Sequence, residues 1–362
     1  MTFEQLHKNL SKMDMGNEMP VSNENVYSQL DCLLNPKRHI TIWDDEKFLP
    51  NTFVLDKDIL NVIDILKRND KLVYAMIAPA FLGQFCEEVS SGKLRSALKF
   101  LGFAGMVEVS LFADILTLKE ALEFDRRVQN NSDYMLTSCC CPMWIALLKK
   151  QNFLSHLSYS VSPMIACGRA IKIIHPDALT VFIGPCIAKK SEAREKALVG
   201  SVDYVLTFQE AADIFSSMNI NLVEMPEDNR DHSSKSGRIY ACAGGVSQAI
   251  VNTLKRINPD KKIVAKCANG MLECKEMLKE LSQKQKCANF FEGMGCIGGC
   301  VGGPKRIIDK NMAQNHVKNY SQKAVYETPI DNPYVIKLLE MLGFETVESL
   351  LDDNKIFTRH FD

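Results

Sequence analysis

Two cysteines four residues apart inside a glycine-rich segment constrain this chain more than any other feature. The segment reads Phe291-Glu292-Gly293-Met294-Gly295-Cys296-Ile297-Gly298-Gly299-Cys300-Val301-Gly302-Gly303-Pro304. A glycine backbone can wrap closely round a bulky object and turn its amides toward it, because no Cβ stands in the way. Zinc sites use Cys pairs at similar spacing, but they have little need of so much glycine. An iron–sulfur cluster held by thiolates from distant segments fits the pattern better.

The rest of the cysteine usage points the same way. There are 13 cysteines, an odd number, and residues 1–20 are polar and unlike a signal peptide. The expectation is a cytoplasmic protein, where disulfides are disfavoured and clustered cysteines mean metal or redox chemistry. Seven stand alone (Cys32, Cys86, Cys167, Cys242, Cys267, Cys274 and Cys287) and read mostly as small buried hydrophobes. Lys and Arg total 43 against 44 Asp and Glu, which argues against a general nucleic-acid or membrane-surface binder. No apolar run approaches the roughly 18 residues of a membrane span.

Two further constellations precede the glycine-rich one. Leu136-Thr137-Ser138-Cys139-Cys140-Cys141-Pro142-Met143-Trp144 holds three consecutive cysteines. They cannot all point one way, so one or two face a common site. Gly184-Pro185-Cys186-Ile187-Ala188-Lys189 sets a cation three residues beyond a thiol, which favours the thiolate.

Apolar segments alternate with helical ones from residue 71 onward. Strands are expected at residues 72–77, 179–183, 202–206 and 262–266, and helices at 93–101, 118–128 and 272–283. Gly102 stops the first of these helices, and Thr207 with Glu210 forms a capping-box pattern that opens another. The reading is an α/β fold: two lobes of parallel sheet flanked by helices, with the metal cluster in the cleft between them. Ligands in such folds sit beyond the carboxyl ends of strands. Residues 1–70, with Asn-Pro-Lys at 35–37 and Asp-Asp-Glu at 44–46, read as an N-terminal extension of limited structure, and residues 71–362 as the two-lobed domain.

Taken together, the three constellations resemble the signature loops of [FeFe]-hydrogenases, in that family's order and at similar separations. Weaker echoes are Ala78-Pro79-Ala80, Leu118-Lys119-Glu120-Ala121-Leu122-Glu123, Ser158 with Ser162-Pro163, and Ala243-Gly244-Gly245-Val246. The resemblance implies reversible interconversion of H2 with protons and electrons. It also implies the cofactor, a [4Fe–4S] cluster joined to a [2Fe] subsite that carries CO, CN and azadithiolate ligands. The ligands would be Cys141, Cys186, Cys296 and Cys300, with Cys300 as the bridge. Cys140 would exchange protons with the bridgehead amine, and Glu120, Glu123 and Ser158 would relay them to solvent. Lys189 would donate to one cyanide, the loop at Pro79 and Ala80 would approach the other, and Met294 would pack beside the di-iron unit.

The resemblance further implies an external electron carrier such as ferredoxin, and di-iron maturation proteins. Only Cys32 falls in the first 80 residues, so no ferredoxin-like accessory cluster is expected there. Four departures from the family pattern stand out: the extra Cys139, Gly184 in place of a usual Met, a shorter glycine run after Cys300, and Met164 where Gln is common. Gly184 is expected to open space near the di-iron site. An H2 sensor, or a Nar-like iron–sulfur assembly protein without the di-iron site, are the competing readings.

Overall fold

The computed structural model describes Thr2, Phe3, Gln5 and residues 30–39, 57–230 and 232–361; the Asp-Asp-Glu run at 44–46 lies outside these. The chain builds two parallel sheets. The first runs β2-β1-β4-β5, from β1 (Val73–Ile77), β2 (Gly105–Glu108), β4 (Leu179–Gly184) and β5 (Tyr204–Thr207). The second runs β3-β7-β6, from β3 (Met135–Leu136), β6 (Ala265–Asn269) and β7 (Phe290–Met294). Every pairing is parallel. All five residues of β1 are buried, as a strand covered on both faces must be.

The helices that matter here are α1 (Lys57–Arg68), α2 (Ser91–Phe100), α3 (Ser110–Arg127), α4 (Pro142–Lys150), α5 (Pro163–Ile174), α6 (Ala188–Ala193), α7 (Phe208–Ser217), α8 (Gly245–Ile257) and α9 (Met271–Ser282). Local signals set several of their ends. Gly102, at φ 103°, ends the α2 segment, and Thr207 and Glu210 close a reciprocal capping box on α7.

Four elements differ clearly from the sequence expectation. The strand expected at 202–206 starts two residues later, and the one expected at 262–266 is shifted to Ala265–Asn269. Backbone pairing decides these edges: β6 joins the sheet only where it meets β7, from Ala265 opposite Phe290 to Asn269 opposite Met294. Residues 57–68, in the stretch expected to have little structure, form α1. Ile59, Val62, Ile63, Ile65 and Leu66 are buried there against the first sheet.

The last difference is the largest. The charged amphipathic helix expected at 118–128 is the end of α3, which starts at Ser110 and is buried continuously to Phe124. Leu111, Phe112, Ile115 and Leu118 pack into the core of the first sheet, while Ala113, Ala121 and Phe124 join the cluster around Met135 and Phe290 of the second. A helix clamped between two lobes has no solvated face. Lys119, Glu120 and Glu123 are therefore buried with it. Among the described residues, no helix is long and apolar enough to cross a membrane.

Candidate metal centre

Each cysteine constellation follows a strand. Cys139–Cys141 come after β3, Cys186 after β4, and Cys296 and Cys300 after β7. In the first sheet, β1 leads to β2 on one side and β4 leads to β5 on the other. The gap beyond β1 and β4 is thus the topological switch point, where diverging loops leave a crevice. Ala78 and Pro79 stand at one edge of that crevice, Pro185 and Cys186 at the other. The second sheet delivers the remaining thiols across it.

The loop after β3 solves the problem of three adjacent cysteines with a kink. Ser138 adopts φ 68°, a left-handed conformation costly for a residue with a Cβ. The Cys141 amide then reaches back to the Ser138 carbonyl at 3.0 Å, and Pro142 starts α4. Trp144 locks the turn by donating from Nε1 to the Thr137 carbonyl at 2.9 Å. The Trp144 ring lies over Gly293, where a Cβ would come within 2.4 Å of it. Gly298 and Gly299 carry φ 92° and 87°, and a Cβ on Gly302 would sit 1.9 Å from the Ile297 carbonyl, so this loop admits glycine alone at those places. Glu292 accepts from the Gly244 and Ser247 amides at 2.8 and 2.7 Å, which fastens the start of α8 against the loop.

Cys141, Cys186, Cys296 and Cys300 converge. Cys186 feels the charge of Cys141, Cys296 that of Cys141 and Cys186, and Cys300 that of all three. Burial and that mutual repulsion push Cys296 up to about 11 and raise Cys186 and Cys300 as well. Four thiolates can share such a site only around a cation. Among the described residues, no group of three Cys, His, Asp or Glu side chains is placed to hold a single metal ion. The donor set and the glycine cradle therefore fit a thiolate-bound cubane, and the Gly295 amide already donates to Cys141 Sγ at 3.3 Å.

A cavity of about 50 Å³ adjoins the quartet at Cys186 and Cys300. Its wall includes Pro79, Cys140, Met164, Phe182, Lys189 and Tyr240. Ala80 and Met294 are buried elsewhere, with Met294 packed in the cluster around Phe290 and Cys140. Lys189 Nζ donates to the Cys140 carbonyl at 2.8 Å and to Glu192 at 2.6 Å. Burial opposes its charge, but the Glu192 carboxylate and neighbouring thiols outweigh that and hold it protonated.

Gly184 opens no space. A Cβ there would meet the Phe182 ring at 2.7 Å, so the aromatic side chain two residues earlier on β4 has taken the volume. Gly184→Met should cost about 1–3 kcal/mol in chemical denaturation through overpacking. Adding Phe182→Ala should recover most of that loss, since both side chains compete for one volume. Additive losses would show that the two positions do not share it.

Two groups of buried polar side chains, one on Glu120 and one on Glu123, lie near the cavity. Cys139 Sγ donates to Glu120 Oε1 at 3.3 Å and also lies 3.3 Å from the Val161 carbonyl; Thr137 donates to the other Glu120 oxygen. Cys140, not Cys139, faces the cavity. Glu123 accepts from Ser158 Oγ at 2.7 Å and pairs with Arg127, which leads outward beside the half-exposed Tyr159 ring. The structure thus brings Ser158 to Glu123 directly. Sequence reading missed Cys139's contact, Arg127, Phe182, Tyr240 and Glu192. Arg127 and Glu192 were legible as charge partners of Glu123 and Lys189 one helical turn on; the others depend on the fold.

Burial raises the Glu120 carboxyl to about 7 from an ordinary 4.5, with Glu123's charge adding to it against the Thr137 hydrogen bond. A raised carboxyl contributes stability that is complete below pH 4.5 and lost as pH rises through 7. Glu120→Gln does not titrate, so it should gain on the native chain between pH 5 and 8, by up to about 3 kcal/mol. Denaturant titrations at both pH values check this, and a constant difference would contradict it.

The comparisons with known proteins agree with this geometry. A family model described as iron only hydrogenase large subunit, C-terminal domain, matches residues 71–304. Iron hydrogenase 1 of Clostridium pasteurianum is 27% identical over 301 residues, covering 70% of this chain and 52% of that protein. The NADP-reducing hydrogenase subunit HndD of Solidesulfovibrio fructosivorans is 27% identical over 345 residues, covering 78% and 59%. This chain therefore spans between half and three-fifths of those two relatives. A probable cytosolic Fe-S cluster assembly factor, narfl of Dictyostelium discoideum, is 21% identical over 67% of this chain and 66% of that protein. In fold, the chain is similar to apo [FeFe]-hydrogenase HydA1 from Chlamydomonas reinhardtii, with a TM-score of 0.68 at 20% identity over 84% of this chain and 98% of that one. With two parallel sheets presenting four thiols at one crevice, and a family match over more than half its length, this chain belongs to the iron-only hydrogenase large subunit, C-terminal domain family.

Proposed function

We propose that this chain interconverts dihydrogen with protons and electrons at a [4Fe–4S] cubane held by Cys141, Cys186, Cys296 and Cys300. Cys300, in the wall of the adjoining cavity, would also hold a di-iron subsite carrying CO, CN and azadithiolate ligands. The observation that carries the reading is a juxtaposition. The four thiols adjoin a small cavity whose wall bears a thiol and a lysine, and two buried carboxylates, Glu120 and Glu123, lie near it. When bound, the group supplies the iron centres at which the H–H bond is made or broken and electrons are taken up.

The protein's own part is electrostatic and acid–base. Lys189 sets a buried positive charge beside anionic ligands, which would otherwise be costly to desolvate. Burial keeps the Cys140 thiol well above its usual range, so its proton is retained at Sγ for transfer at the cavity. Glu120, near 7, gives and takes protons with little driving-force penalty. Glu123, Ser158 and Arg127 carry the path toward solvent. Pro79 forms part of the cavity wall with Ala80 next to it in the loop, and Met294 packs in the cluster that contains Cys140. Electrons would reach the cubane from an external carrier of the ferredoxin type. Assembly of the di-iron subsite calls for dedicated maturation proteins.

The likeness to an iron–sulfur assembly factor supports a second reading, in which the cubane is bound without the di-iron subsite. Maturation with a synthetic di-iron precursor separates the two. Infrared bands of metal-bound CO and cyanide, with hydrogen evolution from a reduced viologen, are the expected result. Bands without turnover would favour an H2 sensor. No bands would leave the assembly reading.

A further inference from the structure

Tyr240 lies in the helical turn Ile239–Ala241 and forms part of the cavity wall opposite Pro79 and Phe182 in the lining. It is 95% buried, at 5% relative exposure, yet its hydroxyl makes no hydrogen bond of good geometry; the Thr117 hydroxyl is the side-chain group nearest to bonding it, and the Thr117 proton is already given to the Ala113 carbonyl. The polar groups nearby are Thr117, Glu120, Cys139 and Cys140. Thr117 donates to the Ala113 carbonyl at 2.8 Å, and the two Glu120 oxygens accept from Thr137 and Cys139. The turn has little room to shift, since a Cβ on Gly245 would fall 2.0 Å from the Ile239 carbonyl. An orphaned buried hydroxyl costs about 1–3 kcal/mol, and phenylalanine would fill the same volume without that penalty. Tyr240 lines the cavity, so an acceptor seated there would complete the hydroxyl without disturbing these contacts. Burial and the Glu120 carboxylate keep the phenol protonated, so it can only donate to such a group.

We infer that the Tyr240 hydroxyl donates a hydrogen bond to a metal-bound diatomic ligand, carbonyl or cyanide, of the group seated in this cavity. The inference rests on the hydrogenase reading. A donor at the outer atom of such a ligand changes how much electron density the metal keeps, so Tyr240 tunes the electronic state of the centre rather than moving protons.

The test compares wild-type chain and Tyr240→Phe, each loaded with a synthetic di-iron precursor, by infrared spectroscopy. The expected result is displacement of at least one band by more than its width. A carbonyl that loses the donor moves to higher frequency, and a cyanide that loses it moves to lower frequency, which tells the two ligands apart. Thermal melting gives a second readout. Before di-iron loading Tyr240→Phe should melt no lower than wild type, and after loading it should melt lower. Bands of unchanged position in both proteins overturn the inference and leave the hydrogenase reading standing. Bands absent from both overturn the hydrogenase reading and this inference with it.

Discussion

Changing any one of Cys141, Cys186, Cys296 or Cys300 to serine should remove most of the cluster iron from the purified chain. A cubane takes one thiolate at each iron corner, and a serine hydroxyl is a hard, weakly acidic donor that replaces a soft thiolate poorly. Cys274 sits near Cys141, but its Sγ is directed at the Ala268 and Met294 carbonyls. Iron analysis should give about four atoms per chain for the native protein before di-iron loading and far fewer for each variant. Of the four proposed ligands Cys186 alone follows a strand of the first sheet, so Cys186→Ser should also remove the cluster's tie between the lobes. A variant that kept full iron and the native EPR signal would show that its cysteine is not a ligand.

The second large effect concerns protons. Cys140→Ala and Glu120→Gln should each leave the assembled centre intact by infrared spectroscopy while lowering turnover about 10²–10⁴-fold. That is the usual contribution of a general acid–base group within hydrogen-bond reach. Glu123→Gln should act in the same direction, because Ser158 and Arg127 both hold that carboxylate. Groups in one relay are non-additive, so the Cys140→Ala/Glu120→Gln double variant should be scarcely slower than the slower single. Cys139 is where structure changes the forecast. On the sequence, with Cys140 aligned as the relay thiol, Cys139 looks dispensable. In the fold it is Cys139 Sγ that contacts Glu120. Cys139→Ala should therefore also be slow. A fully active Cys139→Ala beside an inactive Cys140→Ala would mean that protons reach Glu120 from Cys140 without the second thiol.

What the sequence by itself determined was local and periodic. The apolar runs at 72–77 and 179–183 could only be buried strands. The Thr207–Glu210 spacing could cap only a helix start, and the glycine run around Cys296 and Cys300 could only wrap something that a Cβ would exclude. Those patterns act within a few residues, so the chain alone carries them. The convergence of Cys141, Cys186, Cys296 and Cys300 was legible only as a resemblance. The tertiary structure decided the rest, because it depends on which segments meet. The two-residue β3 exists only because Met135 and Leu136 pair with Phe290 and Phe291. The face carrying Glu120 and Glu123 looks solvated in isolation and becomes buried only when α3 is clamped between two lobes. Gly184 looks like a hole until Phe182 is seen to fill it. Nothing in the order of residues says that the Tyr240 hydroxyl will be left without a hydrogen bond of good geometry at the wall of a cavity. That outcome belongs to long-range packing, where desolvation and excluded volume, rather than sequence spacing, determine what each polar group can reach.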